Sequence, residues 1–509
     1  MPMASPHGAV DPAPTEALVR ADRSPRDQAM TNVSVNEQTV GLFTDTALAQ
    51  PGLTLISTMF GYDTWLIDNQ GRVVNSWTSD SVGAGPAYLL DNGDLIRSGI
   101  AYLNKYNLEL NAPSGGRIQE YDWTGNLVWD YEYIGEDYSQ HHDFSVMPNG
   151  HVLLIAWEYK SPAEAWLAGR DPSLLSPKGL VVDSVVEVAK TGPATGEVVW
   201  EWHVWDHLVQ DENPGLANYG QAVNSPERID VNYAGTPIKD TTDADPDWNH
   251  VNGIDYNPET DQIVLSVHTL NEVWIIDHST TTAEAAGSTG GKSGHGGDLL
   301  YRYGNPQAYG AGDSTDQVLY GQHDAQWIAE GLPGAGNLLI FNNGWQSPQG
   351  DASHVLEVAL PKDAAGNYLM GDDGAFAAAD VVWSYPDGND PNFYAAYVSG
   401  AQRLENGNTL MTLGSTGTVV EVDALGHEVW RYVNPDTDMG LLAQGEEVPA
   451  VGLGTVNNIF KAVRYGYDFA GFWGKDLTGG ALLVSSDNAT MGTGAAQGAI
   501  GPSLAVVMA

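Results

Sequence analysis

Residues 320–344 read YGQHDAQWIAEGLPGAGNLLIFNNG. His323 stands just ahead of a short apolar run, a Gly-Asn turn signal follows, and residues 338–341 have the look of a buried strand. The same arrangement occurs twice earlier. His142 opens HDFSVMPNGHVLLIA and His250 opens HVNGIDYNPETDQIVLSV. Three segments of one type, each led by histidine, predict a repeat fold that carries imidazoles to a common place.

Working outward, six strand-turn-strand units can be traced from Gly52 to about residue 434. Each closes on an i, i+2 pair: Asn75/Trp77, Trp129/Tyr131, Trp200/Trp202, Tyr301/Tyr303, Trp383/Tyr385 and Trp430/Tyr432. Such a pair puts both side chains on one face of a strand. Two units share D-x-x-G-x-x-x-W (Asp122/Gly125/Trp129 and Asp423/Gly426/Trp430), in which the glycine makes the hairpin and the tryptophan docks on the next unit. Six recurrences predict an all-β fold, a six-bladed β-propeller of about four strands per blade. The expected domains are a flexible, polar arm over 1–45, the propeller over 46–485, and a Gly/Ala-rich tail over 486–509. Inserts at 206–249, 279–298 and 303–320 are expected as long loops on one rim, over the central channel. The segment 458–477 is expected to pack on the edge or help close the ring.

Composition bounds the partners. The chain has 509 residues, 59 glycines, 27 prolines and no cysteine. Thiolate chemistry and disulfides are therefore excluded. A net charge of -44 disfavours nucleic acid and anionic membranes, and matches the acidic surfaces of salt-adapted, halophilic proteins. No apolar run reaches membrane-spanning length and no ordinary signal peptide is visible.

In a propeller the innermost strand of each blade lines the channel. His142, His250 and His323 start that strand in blades 3, 4 and 5, and Ser399–Arg403 stands there in blade 6. Three imidazoles so placed permit a metal centre with neutral histidine ligands, or nucleophilic catalysis in which one imidazole attacks and the others stabilise charge. A non-catalytic small-molecule-binding propeller is the third reading. Asp143 and Asp324, one residue on, are expected to point away and be structural. Asn343 reads as a turn residue. GSTGGKSGHGGD at 287–298 lacks the phosphate-loop spacing and reads as a loop.

DWNHVNGIDYN (247–257), GQHDAQW (321–327), HHDF (141–144), GDLLYRYGNP (297–306) and GAQRLENGNTL (400–410) together resemble the bacterial aryl-sulfate sulfotransferases, over roughly residues 86–477. The resemblance implies transfer of a sulfuryl group from a phenolic sulfate ester to a phenol through a sulfohistidine, by ping-pong kinetics, with no metal, cofactor or nucleotide donor. It implies His323 as nucleophile, with His250 and His142 as its catalytic companions; His141 is the alternative to His142 as the histidine of the earlier blade and a candidate substrate-binding residue. Asn252 matches the family's sulfuryl-binding H-x-N motif. Where the family has an arginine after that motif, this chain reads LSVHT, so His268 or Arg403 is expected to substitute. Tyr394 and Tyr397 are candidates for stacking on an aryl ring. The family resemblance implies a periplasmic or secreted protein, and oligomeric state stays open.

Overall fold

The computed structural model describes residues 38–101, 115–235, 246–372 and 374–485. The rest of the expected arm and the tail from 486 lie outside the described residues. Six antiparallel sheets form the blades. Blade 2 runs Gly83–Leu89, Leu95–Ile100, Gly116–Tyr121 and Leu127–Glu132, and blades 3 to 5 repeat that order of four. Their inner strands are Tyr138–Val146, Val251–Asn257 and His323–Trp327.

Both ends of the chain close the ring. Val463–Tyr465 pairs with Leu53–Ser57 and becomes the innermost strand of blade 1, so 458–477 does help to close it. Gly41–Asp45 pairs with Glu428–Val433 as a fifth, outer strand of blade 6. The expected arm over 1–45 is thus too long by its last residues: GLFTD satisfies its backbone in a sheet.

The core is divided like the sheets. Six apolar clusters each join neighbouring blades, for example Trp200 and Val185 of blade 3 with Ile263 and Trp274 of blade 4. The repeated aromatic endings explain the joints. Trp77 Nε1 donates to Asp122 O (2.9 Å), Trp129 to Thr195 O (3.1 Å), Trp202 to Gly297 O (2.7 Å), and Trp430 to Asn69 O (2.9 Å), each in the outer turn of the next blade. In blade 4 the Tyr301 hydroxyl makes the bond, to Ala377 O (2.8 Å). Each ring buries apolar surface and satisfies its polar atom in one contact, and truncating one would cost about 3–5 kcal/mol.

Strand direction sorts the loops. The inner strands all begin at one face, so the connection 303–320, which precedes one, starts and ends there; in the connection that follows residue 206, Glu227 and Arg228 reach Leu299 and Ser288 at the outer part of blade 4. The insert 279–298 joins the third strand of blade 4 to the fourth, which places it on the opposite face. The expectation of a single rim is corrected accordingly: this insert instead serves as the docking turn for Trp200 and Trp202. Among the described residues no helix is long and apolar enough to cross a membrane.

Candidate active site

Strictly alternating strands cannot deliver these histidines; irregular strand starts do. The pairing of inner strand with second strand shifts register between Leu154 and Ala156 in blade 3, between Val251 and Gly253 in blade 4, and between His323 and Gln326 in blade 5. Left-handed backbone sits at the same places: His142 (φ 50°), His250 (φ 46°) and Asp324 (φ 51°). A bulge re-aims a side chain, and non-glycine residues hold such angles at a cost of about 1–3 kcal/mol. Neighbouring chain must also come close. A Cβ on Gly85 of blade 2 would lie 2.2 Å from His142 O, so only glycine fits there.

The result is a continuous group of imidazoles at the inner-strand starts. Ring centroids are 4.5 Å apart for His142 and His250, 5.4 Å for His250 and His268, and 5.3 Å for His268 and His323. His141 stands behind His142, at 5.0 Å, and stacks on Trp157 at 4.1 Å. The geometry therefore brings together His142, His250, His268 and His323 with His141 alongside. No group of three or more His, Asp or Glu among the described residues is arranged to hold a metal ion.

His323, His250 and His141 are oriented by partners the sequence did not advertise. His323 Nδ1 bonds Asn343 Oδ1 (2.9 Å) and Gly321 O (3.3 Å), which puts the proton on Nδ1 and leaves the Nε2 lone pair outward. Val398 N–H donates to that Nε2 at 3.1 Å. Asn343 is fully buried and its amide also donates to Ala395 O and Val398 O, so it is a positioning residue and not the turn residue expected. His250 Nδ1 meets Asp247 Oδ2 at 2.6 Å. His141 Nε2 meets Asp183 Oδ1 at 2.6 Å, and its Nδ1 meets His142 Nδ1 at 2.8 Å.

Burial decides the charge. It pushes the His141, His142 and His268 pKa values well below the ordinary histidine range and brings His323 down to about 3. At neutral pH these rings are uncharged. His268 Nδ1 has no hydrogen-bond partner.

Asn252 is fully buried and its amide donates to Gln322 O (2.9 Å), the residue before His323. Arg403 lies at the far end of its strand, opposite Thr409, with its guanidinium on Glu357 (2.7 Å) and over Trp383. His268 stands within the imidazole group, between His250 and His323. Tyr394 and Tyr397 belong to an apolar cluster with Met59, Val398 and Phe460, and burial raises both hydroxyls to about 12. Phe460 comes within 6.2 Å of His142, centroid to centroid.

One residue deeper in the channel the chemistry changes. Lys461 Nζ sits 3.2 Å from Asp143 and 2.8 Å from Asp324. Burial opposes its charge, but the two carboxylates outweigh that and hold its pKa well above the lysine range. Asp143 and Asp324 are structural, as expected, yet they point into the channel and not away from it. Beyond Lys461 the far mouth opens into a cavity of about 720 Å³ lined by Tyr88, Asp255 and Gln326 among others.

Comparison with known proteins adds the family. The sequence model of the arylsulfotransferase (ASST) family matches residues 42–439. An arylsulfate sulfotransferase from Escherichia coli O6:H1 is 25% identical over 325 residues, covering 60% of this chain and 50% of that protein. The chain thus matches about half the length of this curated relative. Solved structures that resemble it include a protein of unknown function from Bacteroides caccae (11% identity, TM-score 0.39, 75% of this chain and 93% of that one). A catalytically inactive virginiamycin B lyase from Staphylococcus aureus is another (9% identity, TM-score 0.34, 78% and 89%). Neither score is high enough to say more than that.

Proposed function

We propose, from the premise that this chain belongs to the arylsulfotransferase family, that it moves a sulfuryl group from an aryl sulfate to a phenol through a covalent adduct on His323. The observation that carries this reading is the state of His323. It is buried, neutral, held through Nδ1 by Asn343 and Gly321, with Nε2 accepting from Val398 N–H and its ring 5.3 Å from that of His268.

In the donor half-reaction the Nε2 lone pair attacks sulfur, the ester S–O bond breaks, and the phenolate leaves. The acceptor phenoxide then attacks the same sulfur and the N–S bond breaks. Ping-pong kinetics follow. Val398 N–H must give up Nε2 for the attack, and from that position it can donate to a sulfuryl oxygen instead. His268 and His142 supply further donors. Both are neutral while the site is empty. An anionic ester brings the charge that favours imidazolium beside it, so ester binding is coupled to proton uptake. Phe460 and its apolar neighbours Met59 and Tyr394 offer a wall for the aryl ring.

Incubation with a chromogenic aryl sulfate and a phenol tests this directly. Wild-type protein is expected to release the chromophore and form the new ester, with parallel-line kinetics and with His323→Ala inactive. Intersecting-line kinetics, or full activity in His323→Ala, would contradict it.

A further inference from the structure

Behind His142 lies a buried pair of titratable groups, His141 and Asp183, that the reaction outlined above leaves unused. Asp183 is 1% exposed and His141 is 0% exposed. Besides His141 Nε2, the Asp183 carboxylate accepts from Asn249 Nδ2 (2.6 Å) and Val251 N–H (2.8 Å). Three donors converging on one carboxylate are the surroundings of an ionised acceptor. Burial and the nearby Asp247 raise the Asp183 pKa well above the usual carboxylate range, and the Val251 N–H bond counters them only in part. With Asp183 ionised, His141 carries its proton on Nε2, its Nδ1 accepts from His142 Nδ1–H, and His142 Nε2 holds a lone pair. His142 Nε2 has no protein hydrogen-bond partner among the described residues. The groups that face this chain are Asp247 and His250 from the start of blade 4, with Trp157 stacked on His141 and Glu158 acting on Asp183.

Resting on the sulfotransfer reading, we propose that Asp183–His141–His142 is a two-ring proton relay, which stores the proton exchanged between the two phenols. The proton enters with the anionic ester and resides on His141, paired to Asp183. In the donor half-reaction His141 Nδ1 returns it to His142 Nδ1, while His142 Nε2 protonates the departing phenolate oxygen. In the acceptor half-reaction the phenol O–H proton passes to His142 Nε2 and the Nδ1 proton of His142 moves to His141. The phenoxide takes the sulfuryl group, and the N–S electron pair returns to His323. One proton is lent and recovered per turnover. His142 is the catalytic residue, and His141 and Asp183 act through it.

The experiment compares wild type, His141→Gln and Asp183→Asn, using one donor and a set of phenols of graded acidity. A glutamine amide can still donate to Asp183 but cannot carry a proton onward. Both variants are expected to lose about tenfold or more on weakly acidic phenols and to stay within about threefold on strongly acidic ones. The dependence of the rate on solvent deuterium fraction is expected to be curved in wild type, from two protons in flight, and linear in His141→Gln. An equal loss across all acceptors, or unchanged rates, would overturn the relay. So would a linear wild-type dependence on a weakly acidic phenol, a measurement that needs no variant to fold. Wild type that forms no His323 adduct from donor alone would instead remove the sulfotransfer reading, and the relay with it.

Discussion

The channel contains two clusters that are neighbours in the chain and opposites in chemistry. His142 and His323 belong to the upper one; Asp143 and Asp324, the very next residues, belong to the lower. Below, Lys461 is held by both carboxylates, and the Tyr88 hydroxyl bonds Asp143 at 2.8 Å. One cation there is shared by two carboxylates, and its donors are used. Above, burial keeps the imidazoles neutral, His268 Nδ1 is unpartnered, and the left-handed backbone at His142 and His250 stores strain. A saturated cluster holds three blades together. An unsaturated one is left with valence for a substrate. Function sits where the fold declined to complete its own pairing.

That contrast can be broken from either side. The largest expected effect is on chemistry: His323→Ala should lower turnover by about 10³-fold or more without lowering stability, read by steady-state rates and urea unfolding. Next is Lys461→Met, which strands two buried carboxylates and should cost about 3–5 kcal/mol in urea unfolding. Adding Asp143→Asn and Asp324→Asn should recover most of the loss. His268→Gln, by contrast, should change stability by no more than about 1 kcal/mol, because the ring it removes is under-bonded. Asn343→Ala frees the His323 ring and should reduce kcat about 10- to 100-fold with KM little changed. Acid should weaken the upper cluster. His141, His142, His268 and His323 are neutral when folded and ordinary when unfolded, so the unfolded chain takes up more protons below about pH 6.5, and stability falls as pH drops through that value. His268→Gln removes one such group and should blunt the fall by about 1 kcal/mol at pH 5.5. The smallest effect belongs to Arg403→Ala. Its guanidinium serves Glu357, so activity per folded molecule should stay within about twofold.

The blades were readable because the aromatic endings repeat: one joint, made again and again, leaves a period in the sequence. The three leading histidines were readable for the same reason. Their partners were not. Asp183 comes from the third strand of blade 3, Asp247 from a long connection, Asn343 from just past a second strand, and Lys461 from the segment that closes the ring. None shares a period with the residue it serves. Asp324 was misjudged through the alternation rule itself, which holds only on a regular strand. The shift after His323 swings Asp324 back into the channel. Arg403 was placed by strand and not by position along it: three residues past Gly400 is about 10 Å from the strand's start.

The most direct test of sulfuryl transfer through His323 is peptide-mapping mass spectrometry after incubation with an aryl sulfate alone. A stoichiometric sulfuryl adduct on the peptide carrying His323, discharged when phenol is added, is the expected result. Phenol released at full rate with no adduct, or an adduct on any other residue, would contradict it.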